Sequence, residues 1–447
     1  MTNNKADFPF GIDSVHDILA WTQHRIVSGP DPSHGAQSFD ALEPILGGSI
    51  TKTGLGADKA FALFSGTILP STRPFGHPTS LSFVASAPSK AALSFDAALG
   101  ASGIFAGNWD GGAGAIHAEN QVLRWLADLA GWPDTAGGVF VAGGTLGNLS
   151  ALHAARARFR RLHGSSGKLA ILCSSEAHSS IMAVADVMDV DLITVPSDAT
   201  GRMSAQEASG HVTDTVFAIV ANGGATNCGA VDDIDGLAGL CRARQIWLHV
   251  DGAYGGAALA SPVMKDAFAG IEQADSFIVD PHKWLFAPYD SCALVYRDAR
   301  DGKAAHGQEA VYLDTVDKTH WNPSDYALHL SRRARGLPLW YSLATHGTQA
   351  YADAITKTRH VAEAVADGIR NMHWLELLLG PQLTVLLFKP REMSEDAMAA
   401  WAETHRRSGA LLCLPTSWQG ETVFRMCFVN PATDPNEVLS VLETLKP

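Results

Sequence analysis

The sequence predicts an α/β protein with a mostly parallel central sheet, helices on both faces, and a small C-terminal α+β domain. Three observations carry that expectation. Seven short apolar runs rich in β-branched residues alternate with helical patterns, the arrangement that βαβ units require. Many of these runs end in a polar or glycine-rich turn, where open α/β sheets place their ligand crevice. After about residue 345 the alternation gives way to one long helical pattern and two further apolar runs.

Taken in order, residues 1–85 combine short helical patterns, such as Val15 to Ile26, with the connections GPDPSHG and LPSTRPFGHP, and read as an arm. Residues 86–345 hold the alternating segments GGVFVAG, KLAILCSS, DLITVPS, TVFAIVAN, IWLHVDG, SFIVDP and CALVYR, expected as strands of one large domain. Their polar turns lie at Gly143 and Gly144, at Glu176 to His178, at Gly223 to Asn227 and at Asp251. Residues 346–447 carry a helical pattern, the runs LTVLLFKP and TVFRMCFVNP, and a last helix from Pro435 to Leu445, a smaller domain. No internal repeat or low-complexity tract interrupts this order.

Composition narrows the function. A chain of 447 residues with 46% hydrophobic content can bury a large core in more than one domain. A net charge of -13 and a pI near 5.7 argue against nucleic-acid binding, which needs clustered positive charge to displace counterions. A small-molecule partner is expected instead. The six cysteines (Cys173, Cys228, Cys241, Cys292, Cys413, Cys427) stand singly, with no CxxC pair or histidine cluster, so reduced thiols and no metal site are expected. The start MTNNKADFPFG lacks a signal pattern, and no window holds the roughly 18 apolar residues of a membrane helix, which points to the cytoplasm.

The segment DSFIVDPHKWLFAPY, from Asp275 to Tyr289, seats Lys283 between two apolar patches. Lysines are rarely buried unless paired or chemically employed, although one at a strand end can snorkel to water. Desolvation there is expected to lower the amine pKa and free its lone pair for attack on a carbonyl. Three other turns add to it. VAGGTLGNLSAL places Gly143, Gly144 and Thr145 between a strand and a helix, where backbone N–H groups suit a phosphate. It resembles a dinucleotide fingerprint with Ala142 for the first glycine, but the next strand ends in Ser175 and Glu176 followed by a histidine. Asp251 ends a strongly apolar strand and needs a cationic partner there, unless it caps a turn; a protonated pyridine nitrogen would serve. His178 also follows a strand and can stack on a flat ring or simply hydrogen-bond its loop. Lysine, acid and phosphate turn together describe a pyridoxal phosphate site.

With these residues in place the chain resembles the group II pyridoxal-phosphate-dependent amino-acid decarboxylases, which include aromatic L-amino-acid, glutamate and histidine decarboxylases. The likeness runs in order through HP at His77 and Pro78, GGT, AHSS around His178, GATNCGAVDD, HVDGAYGG, DPHKW and the RRAR block at Arg332 to Arg335 with Trp340 following. It implies a fold-type-I pyridoxal phosphate enzyme in which Lys283 holds the cofactor as an internal aldimine and Asp251 pairs with the pyridine nitrogen. His178 would stack on one ring face and Ala253 on the other; Gly144, Thr145 and His282 would hold the phosphate, with Thr226 near the polar edge. Many members carry asparagine where this chain has Asp280, and a second anion beside a phosphate is unfavourable unless protonated, turned away or paired.

The resemblance further implies a homodimer with active sites at the subunit interface, and decarboxylation of an L-amino acid to an amine and carbon dioxide through an external aldimine and a quinonoid. The family's proton donor is a tyrosine on a mobile loop before the paired arginines. In VYLDTVDKTHWNPSDYALHLSRRAR the assignment falls on Tyr326, with Tyr312 as the fallback. Arg332 and Arg333 are expected to fix that loop through salt bridges rather than bind substrate, and Arg425 can meet a carboxylate. Rival readings are an aldehyde synthase or a carbon–carbon lyase on the same fold, and a binding protein that has lost catalysis. Trp109, Phe83 and His77 are pocket candidates that favour an aromatic substrate, while a small aliphatic or acidic amino acid stays open.

Overall fold

The structure, a computed structural model, describes residues 15–84, 87–164, 167–307 and 320–447. Its large sheet contains β1 (Gly137–Val141), β2 (Ala170–Ser174), β3 (Asp191–Val195), β4 (Val216–Asn222), β5 (Trp247–Asp251), β6 (Ser276–Val279) and β7 (Cys292–Tyr296), in the order β1-β7-β6-β5-β4-β2-β3. These are the seven apolar runs of the sequence. Strands β4 to β7 are buried along their whole length, which is why they read as continuous apolar segments rather than alternating ones. The sheet is parallel except at β7, which runs antiparallel to both β1 and β6. Between β6 and β7 the chain forms the turn carrying Lys283 instead of a crossover helix, and a strand that returns without a crossover is antiparallel.

Helix Gly144–His163 packs across the middle of this sheet. Close approach depends on Gly147: a Cβ there would sit 2.9 Å from both Cys292 Sγ and Ile278 Cγ2. The consequence is functional, because this helix begins directly beyond β1 and its N-terminus is thereby pressed against the ends of β5 and β6.

The C-terminal sheet is antiparallel, ordered β10-β11-β9-β8, with β8 (Leu375–Gln382), β9 (Val385–Pro390), β10 (Pro415–Trp418) and β11 (Glu421–Cys427). The two apolar runs LTVLLFKP and TVFRMCFVNP supply its inner strands, β9 and β11. Strands β8 and β10 lie at the edges, half-covered, and lack the apolar continuity that would have shown them in the sequence. Helix Leu337–Asn371, bent at Gly347, spans the expected boundary at residue 345: Leu339 and Tyr351 belong to the large core, Val361 to Ile369 to the small one. The last helix covers Pro435–Leu442 and finishes as a 3-10 turn through Leu445.

The RRAR block fastens this helix to the large domain. Arg332 and Glu119 meet at 2.5 Å with both side chains inaccessible, and Glu119 also accepts the N–H of Gly336 at 2.8 Å. Removing one partner of such a pair costs on the order of 3–5 kcal/mol, because the other charge is left buried alone. Arg333 pairs with Asp96 at the surface, so both arginines act on structure. Among the described residues no helix is long and apolar enough to cross a membrane, and all six cysteines are buried and unpaired.

Two histidines partly or wholly withdrawn from water follow from this packing. His306 donates through Nε2 to the carbonyl of Ser150 at 3.0 Å, and burial pushes it down to about 4; burial, with Arg332 nearby, does the same to His329. An ordinary histidine titrates near 6.5, so the unfolded chain binds more protons than the folded one between those values. Stability from these groups is complete above about pH 6.5 and declines as the pH falls toward 4. The urea midpoint should therefore drop between pH 7 and 4.5, less steeply in His306→Gln; equal slopes in the two proteins would remove His306 from this account.

Candidate active site

The polar turns after β1, β2, β4, β5 and β6 converge on one cavity of about 590 Å³. Lys283 enters it from the turn after β6. Asp280 N–H donates to Ala253 O at 2.9 Å and Lys283 N–H to Asp280 O at 2.9 Å, a tight reversal that sets the lysine over the acid. Its Nζ lies 3.1 Å from Asp280 Oδ2, and that carboxylate is almost fully buried. The expectation of a lowered amine pKa is corrected here. Burial lowers it, but the charges of Asp280 and Asp251 and the Asp280 hydrogen bond raise it further, and the net direction is upward.

Asp251 ends β5 beneath the same cavity. Its Oδ2 accepts from Asn148 Nδ2 at 2.9 Å and its Oδ1 from the N–H of Ala253 at 3.1 Å, leaving the carboxylate held by two donors. Gly143 and Gly144 open helix Gly144–His163, which no side chain caps, so the N–H groups of its first turn suit an anion. Gly144 is needed there: a Cβ would come within 3.2 Å of Asp280 Oδ2. Thr145 lines the cavity beside it, as do Ala253 and Thr226. Thr226 lies in a loop pinned by Gly224, whose φ of +113° few other residues adopt. His282 donates from Nδ1 to Ser291 O at 2.6 Å, which turns Nε2 toward Asp280, 3.8 Å away.

His178 caps helix Ser179–Met188, its Nδ1 accepting from the N–H of Ser180 at 3.2 Å. That acceptor role fixes the proton on Nε2. A chain of buried hydrogen bonds agrees with it. Trp247 Nε1 donates to Ser276 Oγ at 2.8 Å, and Ser276 donates to His249 Nδ1 at 2.7 Å. His249 Nε2 donates to Asn148 Oδ1 at 2.9 Å; the Asn148 amide nitrogen donates to Asp251 and, at 3.1 Å, to Ser180 Oγ, which donates to His178 Nδ1 at 2.9 Å. Every donor points toward the cavity. Burial holds His249 well below its ordinary value, so it stays a neutral link. Asn148 was not singled out in the sequence, although a polar residue one turn after GGT in an apolar helix was a signal.

The cavity thus brings together Lys283, Asp251, His178, Ala253, Gly144, Thr145, Thr226, His282 and Asp280. Tyr326 is not among them. Its ring stacks on Trp321 with centroids 4.0 Å apart, and Trp321 in turn abuts Gly137, the first residue of β1, whereas the cavity opens beyond the last. Roughly 13 Å of strand separates the two ends. Within its own chain Tyr326 is therefore a core residue and does not reach Lys283. Tyr312 and the loop through residue 319 lie outside the described residues. Trp109 stacks on His320, Phe83 packs on Phe75, and His77 lines a separate small cavity, so none of the three lines this pocket. Arg425, buried in β11, donates through Nη1 to Ser82 O, while its Nε and Nη2 have no hydrogen-bond partner among the described residues.

An amine, a carboxylate held by two donors, an uncapped helix start and an aromatic-sized space fit a pyridine aldehyde phosphate. Comparison with known proteins agrees. The pyridoxal-dependent decarboxylase conserved domain matches residues 67–391, and the chain belongs to that family of pyridoxal-phosphate-dependent carboxy-lyases. It is 29% identical over 428 residues to an aromatic-L-amino-acid decarboxylase of Bacillus atrophaeus, covering 91% of this chain and 88% of the relative. It is 28% identical over 424 residues to an L-2,4-diaminobutyrate decarboxylase of Rhizobium meliloti (strain 1021), covering 91% and 84%. The structure of Oryza sativa TDC with PLP and tryptamine superposes with a TM-score of 0.90 at 22% identity, over 98% of each chain.

Asn148→Leu should weaken pyridoxal phosphate binding roughly tenfold to a hundredfold, since Asp251 loses a donor and His249 is left without its acceptor. Absorbance titration of the apoprotein measures this, with circular dichroism as the folding control; an unchanged affinity would detach Asn148 from the site.

Proposed function

We propose that this chain decarboxylates an L-amino acid with an aromatic side chain, releasing the corresponding amine and carbon dioxide. The observation that carries the reading is the single cavity shared by Lys283, Asp251 and the uncapped start of helix Gly144–His163. When bound, the cofactor supplies the electron sink for the pair left at Cα. Lys283 is the residue that bonds it. Asp251, held by two donors, would pair with the pyridine nitrogen, and the first-turn N–H groups with His282 would take the phosphate. His178, with its proton on Nε2, would cover one ring face and Ala253 the other.

Arg425, buried in β11 with two N–H positions that have no partner among the described residues, does not line this cavity, so the structure does not assign it to the substrate carboxylate. Leu146, Leu149 and Tyr289 give the cavity apolar walls, and Lys283 is its only lysine or arginine among the described residues, which disfavours acidic side chains. The aromatic activity of the Bacillus relative points the same way. Tyr326 lies outside its own chain's cavity, so within one chain the return of a proton to Cα falls to another group.

The purified protein loaded with pyridoxal phosphate should convert an aromatic L-amino acid to amine and carbon dioxide in equal amounts. Mass spectrometry across a panel of L-amino acids tests this, with peroxide and ammonia followed in parallel; aldehyde with ammonia would replace the proposal by oxidative chemistry. Lys283→Ala should lose turnover by several orders of magnitude and the absorbance of bonded cofactor with it, and retained activity would end the reading.

We also propose that the N-terminal arm packs on a second copy of the chain. Helices Val15–Ser28, Phe39–Leu46 and Ala57–Leu63 contain no buried residue, and Phe39 and Ile50 are 74% and 96% exposed. So much bare apolar surface on consecutive elements is costly in water. Analytical ultracentrifugation should give the mass of a dimer, reduced toward a monomer by Phe39→Asp with Ile50→Asp; a monomeric wild type refutes it.

A further inference from the structure

The pairing of Lys283 with Asp280 has a consequence beyond cofactor binding. A lysine can attack a carbonyl only as the neutral amine, yet the geometry keeps this one charged. Asp280 lies three residues earlier in the same turn, 3.1 Å from Nζ and nearly inaccessible to water. The site must therefore remove a proton from Lys283 before bonding and return it afterwards. Lys283 itself is about a quarter exposed to the cavity, and the acceptor in direct contact with its Nζ is Asp280.

We propose that Asp280 is the proton store of Lys283, taking the ammonium proton as the lysine bonds a carbonyl and giving it back when the lysine is displaced. This rests on Lys283 being the residue that bonds the cofactor. The step balances: a proton passes from Nζ to the Asp280 carboxylate, and the neutral amine adds to the carbonyl carbon. The carbonyl oxygen then leaves as water as the C=N bond forms. In reverse, an incoming neutral amine takes over that carbon, Lys283 departs as an amine, and Asp280 reprotonates it. No net charge is created in the buried turn at either stage, which is the physical advantage of a carboxylate here over a neutral amide.

Other groups face Lys283, and each is less suited. His282, on the same turn, has Nδ1 engaged by Ser291 O, with Nε2 nearer to Asp280. Asp251, at the end of β5, is occupied by Asn148 and the Ala253 N–H. Cys292, opening β7, and Cys427, ending β11, are buried thiols whose pKa values are pushed up by that burial. His178, across the cavity, has Nδ1 committed to Ser180. Asp280 alone pairs directly with Nζ while its second oxygen, Oδ1, has no hydrogen-bond partner among the described residues.

The test reads Lys283 itself. Apoprotein is treated with formaldehyde and cyanoborohydride from pH 6 to 10, and methylation of the Lys283 peptide is followed by mass spectrometry, with exposed Lys52 as the internal standard. In Asp280→Asn the Lys283 peptide should be methylated roughly tenfold faster than in the wild type at each pH near neutrality. Asp251→Asn should raise the rate less. An unchanged rate in Asp280→Asn, or an equal gain in Asp251→Asn, overturns the proposal; if the Asn variant does not fold, Asp280→Ser is read by the same criteria. Titrating the wild type with pyridoxal phosphate separately reports whether Lys283 bonds the cofactor, so failure of that premise is seen apart from failure of the proton store.

Discussion

The site depends on satisfying a carboxylate at the end of a strand buried on both faces. Asp251 leaves the apolar interior of β5 at the point where the sheet stops, and an isolated charge there would be neutralised rather than tolerated. Asn148 resolves the conflict by donating to Asp251 while accepting from His249 and donating again toward Ser180. One amide therefore orients groups from β5 and from helix Ser179–Met188. Its position follows from Gly147, which lets the helix lie close enough to the sheet for the amide to reach.

Electrostatics around Lys283 illustrate how far a local reading of burial can mislead. Apolar neighbours on both sides suggest a depressed amine pKa, and desolvation does act in that direction. Two carboxylates within the same cavity outweigh it. Asp280 is the second carboxylate that the resemblance leaves unexplained, and in the absence of cofactor its pairing with Lys283 balances that charge. The amine is its counterion.

The fold separates catalytic from structural polar groups by their place along the strands. The residues proposed to handle cofactor sit at the carboxyl ends of β1, β2, β4, β5 and β6, as the topology of an open α/β sheet requires. Tyr326 sits at the other end of β1 and serves packing. Arg332 and Glu119 lock the long helix to the large domain, and that helix carries the small domain in which Arg425 is buried. Position along the strand, rather than residue type, decides which polar side chains can take part in chemistry.

What the sequence determined by itself was the strand set, the turns that end those strands and the identity of the lysine, acid and histidine clustered there. These are legible because a strand covered on both faces must be continuously apolar, so a charged residue at its end stands out. The edge strands β8 and β10 were not, since half-covered strands carry no such continuity. The protonation of Lys283, the role of Asn148 and the exclusion of Tyr326 were decided only by the tertiary structure. Each depends on distances between residues remote in the chain: Asn148 to Asp251 across the helix–sheet interface, and Trp321 against Gly137. Charges and hydrogen bonds act over a few ångströms of space, and spacing in sequence does not report that distance.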